Sequence, residues 1–153
     1  MTLTVMREDP SGGAVARVLA STVSPEDVEA ITLACRDYFE AWYTADAERI
    51  RNCLHPDLAK RSVVRDSDNG KWKLDHDDAT TMVAFTREGR GTKKAPEGER
   101  WLHITIRDAY GRIASATVIS YPYVEYLHLA KFDDRWRIVN AIWEWRDGYA
   151  RSV

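Results

Sequence analysis

Residues 101–146 read WLHITIRDAYGRIASATVISYPYVEYLHLAKFDDRWRIVNAIWEWR, and this stretch decides the fold class. Apolar and polar side chains alternate along it, which predicts strands over 101–108, 112–121, 123–132 and 136–146. The breaks between these strands are short and consist of Tyr110-Gly111, Pro122 and Asp133-Asp134. Links this short cannot carry a parallel crossover, so the strands are predicted to form an antiparallel meander.

Two helices are predicted near the start of the chain. The first begins at Ser24 and Pro25, a capping residue followed by a proline at the first helical position. The second begins after Asp46 and ends at His55-Pro56, since the residue before a proline avoids helical geometry. The first has an apolar face at helical spacing, made of Val28, Ile31, Cys35, Tyr38, Phe39 and Trp42.

A hairpin and a third helix are predicted between these helices and the meander. The turn Asp68-Asn69-Gly70 separates short strands over 61–65 and 71–74. The third helix is predicted to run from Asp75 to Gly89, and residues 89–99 are predicted to be a solvated loop. Helices first and strands last, within one small domain, indicate the α+β class.

The length of 153 residues fits one domain with its own core. Residues 1–23 are predicted to be a flexible N-terminal extension, because residues 8–13 are rich in turn-forming types. The domain itself is predicted to span 24–147, followed by a C-terminal tail over 148–153.

Composition excludes several classes of function. The net charge of −2 argues against nucleic-acid binding, which needs a concentrated basic face. No apolar run reaches the ~18 residues that a membrane helix requires. Residues 14–20 are too short for the core of a secretion signal. We therefore expect a cytoplasmic protein in which Cys35 and Cys53 are reduced thiols.

Both faces of the predicted sheet are apolar. Strict alternation in the last strand gives one face with Trp136, Ile138, Asn140 and Ile142, and another with Val139, Ala141, Trp143 and Trp145. A sheet with helices on one side only should be polar on the other. We expect a homodimer formed sheet to sheet to cover the second face, and the alternative is that the N-terminal extension folds over it.

Several motifs together resemble the NTF2-like (SnoaL-like) superfamily. Residues 38–42 read YFEAW, residues 54–57 read LHPD, and residues 133–140 read DDRWRIVN. Their order and spacing resemble the opening helices and the closing hairpin of these proteins. Trp72 and the ending Trp143-Glu144-Trp145 look most like the branch named "putative lumazine-binding". The resemblance covers residues 25–146.

The resemblance implies a cone in which three N-terminal helices pack on a curved antiparallel sheet. Members of the superfamily are often homodimers, and they include ketosteroid isomerases, scytalone dehydratase and polyketide cyclases. Because proteins of this fold have different functions, the fold alone does not identify the function of this chain. The Tyr/Asp pair of the ketosteroid isomerases cannot be placed at matching positions of this sequence.

Candidate site residues follow from what chemistry in an apolar cone would need. His55, at the exit of the second helix, and His103, in mid-strand, are predicted as catalytic general bases. The structural alternatives are an exposed loop histidine and a satisfied sheet residue. We expect ligand contacts from aromatic and flexible apolar side chains, namely Tyr38, Trp42, Met82, Trp101, Tyr126 and Trp143.

No cofactor and no metal are predicted. The run Asp75-His76-Asp77-Asp78 is better explained by helix capping than by metal binding. Three functions stay open: a homodimer that binds a small apolar or aromatic molecule, a cofactor-free isomerase, dehydratase or cyclase that uses a histidine or carboxylate base, and a dimerisation module without a working pocket.

Overall fold

A computed structural model describes the backbone of Val5–Glu8 and Ala14–Val18 and all of residues 23–147. The helices are α1 (Pro25–Thr44), α2 (Ala47–Cys53) and α3 (Ala79–Arg87). The strands are β1 (Val5–Glu8), β2 (Ala14–Val18), β3 (Leu54–Arg65), β4 (Trp72–Asp77), β5 (Leu102–Tyr110), β6 (Ile113–Ser120), β7 (Tyr123–Phe132) and β8 (Arg135–Trp145).

All eight strands form one sheet in the order β1-β2-β5-β6-β7-β8-β3-β4. Strands β5 to β8 are the predicted antiparallel meander. Two contacts are parallel, between β2 and β5 and between β3 and β8. The predicted α+β class and the predicted curved, mostly antiparallel sheet are confirmed. No helix in the described part of the chain is long and apolar enough to cross a membrane.

Helix α1 packs against the inner face of this sheet. The side chain of Ser24 caps it by accepting a hydrogen bond from the amide of Asp27 at 3.1 Å, and Ala45 ends it in the left-handed region at φ 58°. The buried side chains of α1 follow the predicted face: Ile31, Ala34, Cys35, Tyr38, Phe39, Ala41 and Tyr43. The aromatic end of the helix therefore lies inside the cone.

Two predicted boundaries are wrong. The third helix begins at Ala79, because β4 extends through Asp75 to Asp77 and Asp78 caps α3, with its carboxylate accepting from the amide of Thr81 at 2.7 Å. Strand β3 begins at Leu54, well before the predicted start at 61. Pro56 is accommodated in β3 because the pairing with β8 is irregular between Leu54 and Ala59.

The extension predicted over residues 1–23 contributes two strands to the sheet. Strand β2 pairs in parallel with β5, and β1 pairs antiparallel with β2 at the edge. The sequence analysis did not predict these strands. Residues 9–13, most of the predicted turn, and the predicted tail over 148–153 lie outside the described residues. The described segments extend the sheet at its edge and do not lie across its second face.

A β-bulge corrects the predicted faces of the last strand. His128 pairs with Asn140 but Leu129 pairs with Ile138, so the alternation of β8 shifts by one residue. The inner face of β8 therefore combines members of both predicted sets: Trp136, Ile138, Ala141, Trp143 and Trp145. Strict alternation failed here because a single extra residue reverses every side chain beyond it.

The outer face of the sheet carries exposed apolar side chains. Tyr126 and Ile142 are cross-strand partners on this face, with 58% and 45% of their surfaces exposed. The register places five further large exposed side chains on the same face: Val63, Trp72, Leu74, Tyr110 and Ile113. The described helices pack on the inner face, so the predicted second apolar face is present.

The loop between α3 and β5 is mostly exposed, in agreement with the prediction for residues 89–99, but part of it packs on the end of α1. Gly91 is buried, and a Cβ placed there would lie 2.3 Å from the carbonyl oxygen of Trp42. The hydroxyl of Thr92 donates to the carbonyl oxygen of Tyr43 at 2.8 Å. This contact fixes the helix end that carries Trp42.

Gly91→Ala should destabilise the protein by about 1–3 kcal/mol, because the new methyl group overpacks against the backbone of α1. Gly98→Ala is the matched control, since a Cβ at Gly98 meets nothing within 4 Å. The control should stay within about 0.5 kcal/mol of the parent. Urea unfolding measures both values, and equal free energies of unfolding for the two variants would contradict this packing.

Candidate functional site

A cavity of about 60 Å³ lies between α1 and the inner faces of β3, β7 and β8. Helix α3 contributes Met82 to its wall. The apolar and indole side chains around it are Phe39, Trp42, Met82 and Trp143. The polar side chains are Tyr38, Lys60, Tyr123 and Glu125. The cavity is thus mainly aromatic, with polar side chains from α1, β3 and β7 in its wall.

Three of these polar side chains form a hydrogen-bonded group, here called the Lys60–Glu125–Tyr38 cluster. The hydroxyl of Tyr38 donates to Oε1 of Glu125 at 2.6 Å. Lys60 Nζ donates to the same oxygen at 3.0 Å and also to the hydroxyl oxygen of Tyr38. The cluster joins α1, β3 and β7 inside the cone.

The charged members of the cluster are almost fully buried. The side chains of Lys60 and Glu125 are 10% and 2% exposed. Removing two charges from water costs several kcal/mol per ion, and apolar side chains of similar volume often give an equal or greater stability. The Lys60 ammonium gains some compensation from the rings of Tyr38 and Trp143, whose centroids lie 5.0 and 5.4 Å away. Packing alone therefore gives no reason for a charged pair at this place.

The two tyrosines of the cavity stay protonated. Burial, together with the neighbouring Glu125 carboxylate, raises the pKa of Tyr38 well above its usual value. Burial raises the pKa of Tyr123 to about 12, and its hydroxyl oxygen accepts from Nε1 of Trp42 at 3.4 Å. Both phenols are therefore hydrogen-bond donors at neutral pH.

Glu125 has spare capacity to accept hydrogen bonds. Both of its hydrogen bonds within the described residues reach Oε1. Oε2 therefore has no donor among those residues, although Glu125 lines the cavity. An ionised carboxylate can accept about four hydrogen bonds, so a molecule in the cavity would find an acceptor here.

Four of the predicted ligand contacts line this cavity: Tyr38, Trp42, Met82 and Trp143. The side chain of Met82 is buried, whereas Trp42 and Trp143 are half-buried and lie toward solvent. The structure therefore brings together side chains from α1, α3 and β8 that are far apart in sequence.

The other four predicted site residues lie away from the cavity. His55 stacks on Phe132 with ring centroids 4.4 Å apart, and its Nδ1 accepts from the amide of Asp57 at 3.0 Å. His103 and Tyr126 are exposed on the outer face of the sheet. Trp101 lies 5.1 Å from the His103 ring, centroid to centroid. Neither histidine reaches the cavity. His103 lies on the outer face of β5, and His55 lies at the N-terminal end of β3.

Sequence reasoning missed Lys60, Glu125, Tyr123 and Phe39 as site residues. Glu125 had a usable signal, since it shares the face of β7 that carries Leu127 and Leu129. A carboxylate on an apolar strand face is a candidate buried acid. Lys60 had none, because the predicted strand began one residue after it.

Comparison with known proteins gives the family. The model of a family described as "Putative lumazine-binding" matches residues 26–144, well over half of the chain. The chain belongs to this family. No curated protein matches it.

Solved structures of NTF2-like proteins show the same fold as this family member. One, an NTF2-like protein of unknown function from Silicibacter pomeroyi, is 17% identical with a TM-score of 0.64 over 82% of this chain and 100% of that one. Another of unknown function, from Methylobacillus flagellatus, is 22% identical with a TM-score of 0.61 over 82% and 96%. A protein from Shewanella frigidimarina described as a "putative ketosteroid isomerase" is 17% identical with a TM-score of 0.53 over 75% and 94%.

Breaking the buried ion pair of this NTF2-like chain from one side should be costly. Lys60→Met and Glu125→Gln should each destabilise it by about 3–5 kcal/mol, because each leaves one buried charge without its partner. The double variant removes both charges. The side-chain amide that it introduces at position 125 still has an oxygen that can accept the hydrogen bond from Tyr38. We expect it to be more stable than either single variant, with a coupling of about 2 kcal/mol or more from urea unfolding.

The matched control is the pair Lys73 and Asp66, whose side chains are 54% and 23% exposed and whose Nζ and Oδ2 atoms are 3.3 Å apart. The Lys73→Met and Asp66→Asn cycle should give a coupling below about 1 kcal/mol, because water screens this pair. Equal couplings for the two pairs would contradict the burial of Lys60 and Glu125.

Proposed function

We propose that this protein binds a small planar molecule in the cone, with the Lys60–Glu125–Tyr38 cluster holding its polar edge. The observation that carries this proposal is a buried charged cluster on the wall of an aromatic cavity. Such a cluster often gives no more stability than apolar packing, and convergent polar groups in an apolar pocket are typical of ligand sites. The description of the family agrees with a small-molecule ligand.

The lining suggests the chemistry of the ligand. Trp42, Tyr123 and Trp143 offer flat surfaces on which a planar ring can pack. Oε2 of Glu125 can accept from an N–H group of the ligand, and Lys60 or a tyrosine hydroxyl can donate to a carbonyl oxygen. A heteroaromatic ring with adjacent N–H and C=O groups satisfies both requirements.

The size of the cavity sets a condition on binding. Its volume of about 60 Å³ is well below the ~300–1,000 Å³ of pockets that hold drug-sized ligands. A ring system therefore needs the half-buried Trp42 and Trp143 side chains to move outward. We propose that ligand entry displaces one or both of these indoles, since they form the part of the wall nearest to solvent.

The second candidate function is cofactor-free proton transfer, as in an isomerase, dehydratase or cyclase. The hydrogen bond from Tyr38 to Glu125 favours it, because a carboxylate base and a protonated phenol then lie side by side. The ion pair with Lys60 already occupies Oε1, which is the carboxylate oxygen that lies next to the phenol and would act as the base. Binding is therefore the leading proposal. Neither proposal assigns a role to His55 or His103, which stay candidates from sequence only.

We further propose that the outer face of the sheet forms a homodimer interface. The apolar patch around Tyr126 and Ile142 is an exposed sheet surface that a second copy can cover by a symmetric contact. The described N-terminal strands lie at the edge of the sheet and leave this face open. A cytoplasmic location stays a prediction from sequence.

Binding can be tested with 2-pyridone, a planar ring with adjacent N–H and C=O groups, by isothermal titration calorimetry. N-methyl-2-pyridone is the matched control ligand because it lacks the N–H donor. Losing a hydrogen bond to a charged group costs about 1.5–3 kcal/mol, so the control should bind roughly 10–100-fold more weakly. Glu125→Gln should reduce this discrimination, and His55→Ala should leave the affinity unchanged. Failure of both ligands to bind, or equal affinities, would overturn the proposed polar edge.

The dimer can be tested by light scattering after size exclusion. Ile142→Arg should convert a dimer to a monomer, because the symmetric interface would then bury two positive charges, one from each copy. Leu33→Arg is the matched control, since Leu33 is an exposed apolar residue of α1 with 50% of its surface accessible. A monomeric parent protein, or a dimeric Ile142→Arg variant, would refute a sheet-to-sheet dimer.

A further inference from the structure

Lys60 brings a primary amine to the wall of the cavity. Its Nζ lies 3.0 Å from Oε1 of Glu125 and also donates to the hydroxyl oxygen of Tyr38. Burial among aromatic side chains favours a neutral lysine amine, which is the nucleophilic form, and Glu125 is placed to take the proton that this form must lose. We propose that Lys60 forms a reversible imine with a small neutral aldehyde or ketone, which rests on the proposed function in that the cavity must admit a small molecule.

Glu125 provides the place for the proton that Lys60 must lose. Transfer of a proton from the ammonium to Oε1 across their hydrogen bond converts two buried charges into two neutral groups. The two charged groups have already lost their hydration by burial, so neutralising them gives up little more. The aromatic lining in turn disfavours separated charges. The neutral amine keeps its lone pair available inside the cavity.

The reaction balances with these groups alone. Nζ attacks the carbonyl carbon, the C–N bond forms as the C=O π bond breaks, and the oxygen takes a proton from Nζ to give a neutral carbinolamine. The proton held by Glu125 then reaches this hydroxyl, which leaves as water while the C=N bond forms. The sum is ammonium plus carbonyl giving iminium plus one water, with Glu125 ionised at the start and at the end.

Tyr38 is placed to assist at the oxygen. Its hydroxyl contacts Lys60 Nζ, so it lies next to the atom that attacks, and its raised pKa keeps the proton on the phenol. Once Oε1 of Glu125 holds the proton from Lys60, the Tyr38 hydroxyl is released from donating to it and can donate a hydrogen bond to the carbonyl oxygen as negative charge develops there. In the same addition, Glu125 thus acts on the attacking nitrogen and Tyr38 acts on the carbonyl oxygen.

The cavity selects small and uncharged partners. Its volume of about 60 Å³ is well below the ~300–1,000 Å³ of pockets that hold drug-sized ligands. A carbonyl compound of a few carbon atoms therefore needs a smaller outward movement of Trp42 and Trp143 than a ring system does. A keto acid is disfavoured, because its carboxylate would lie beside that of Glu125.

The test is borohydride trapping of the full chain after brief incubation with propanal at low concentration, followed by peptide mapping. We expect Lys60 to carry the propyl group at least about tenfold more often than any exposed lysine, since neighbouring acid and base groups accelerate such steps by 10²-fold or more. Lys73, half exposed and paired with Asp66, is the internal reference in the same sample. Labelling of Lys60 no higher than that of Lys73 would overturn the proposal.

Two variants separate chemistry from folding. Tyr38→Phe keeps the ring and removes the hydroxyl, and Glu125→Gln keeps the shape and removes the base. Each should lower the labelling of Lys60 about tenfold or more while the labelling of Lys73 in the same sample stays unchanged. Unchanged labelling of Lys60 in both folded variants, checked by circular dichroism, would contradict the assigned roles.

The outcome distinguishes this proposal from the proposed function. Binding of 2-pyridone without selective labelling of Lys60 would refute the imine and leave the ligand site standing. Selective labelling without 2-pyridone binding would support the imine and refute the planar ligand. If both hold, 2-pyridone should protect Lys60 from propanal, because the two molecules occupy the same cavity.

Discussion

A single buried carboxylate oxygen, Oε1 of Glu125, connects elements that the sheet alone would leave separate. It accepts hydrogen bonds from Tyr38 on α1 and from Lys60 on β3. Strands β3 and β7 are not neighbours, since β8 lies between them. Because the oxygen is buried with its donors, the position of α1 in the cone is tied to the register of both strands. The cavity walls, and hence any ligand, depend on this arrangement.

The physical character of the cone follows from that connection. Its interior is small and mostly aromatic, yet it contains an ion pair and two protonated phenols. Such an interior can hold a polar edge firmly in place while the half-buried indoles at its rim admit or exclude the rest of a molecule. The outer face has a different character, since it carries exposed apolar side chains. This contrast between the two faces is the basis of the two proposals, ligand binding inside the cone and association through the outer face.

The sequence predicted the fold well and the site only in part. Alternation and short turns predicted the meander, and helical spacing predicted α1, because both patterns are local. The bulge in β8 and the early start of β3 depend on pairing with distant strands, which local patterns do not contain. Lys60 was missed for this reason, whereas Tyr38, Trp42, Met82 and Trp143 were predicted because the apolar face of a helix or strand is visible in sequence. The histidines were chosen for their chemistry, and the geometry places them elsewhere.

The burial of Lys60 and its hydrogen bond to Glu125 inside the cone can be measured by a proton–nitrogen correlation spectrum of the isotope-labelled lysine amino groups, because amino protons of exposed lysines exchange with water too fast to be seen. We expect a slowly exchanging amino signal that disappears in Lys60→Arg and shifts in Glu125→Gln. A spectrum in which no amino signal depends on Lys60 would show that this lysine is not held by Glu125.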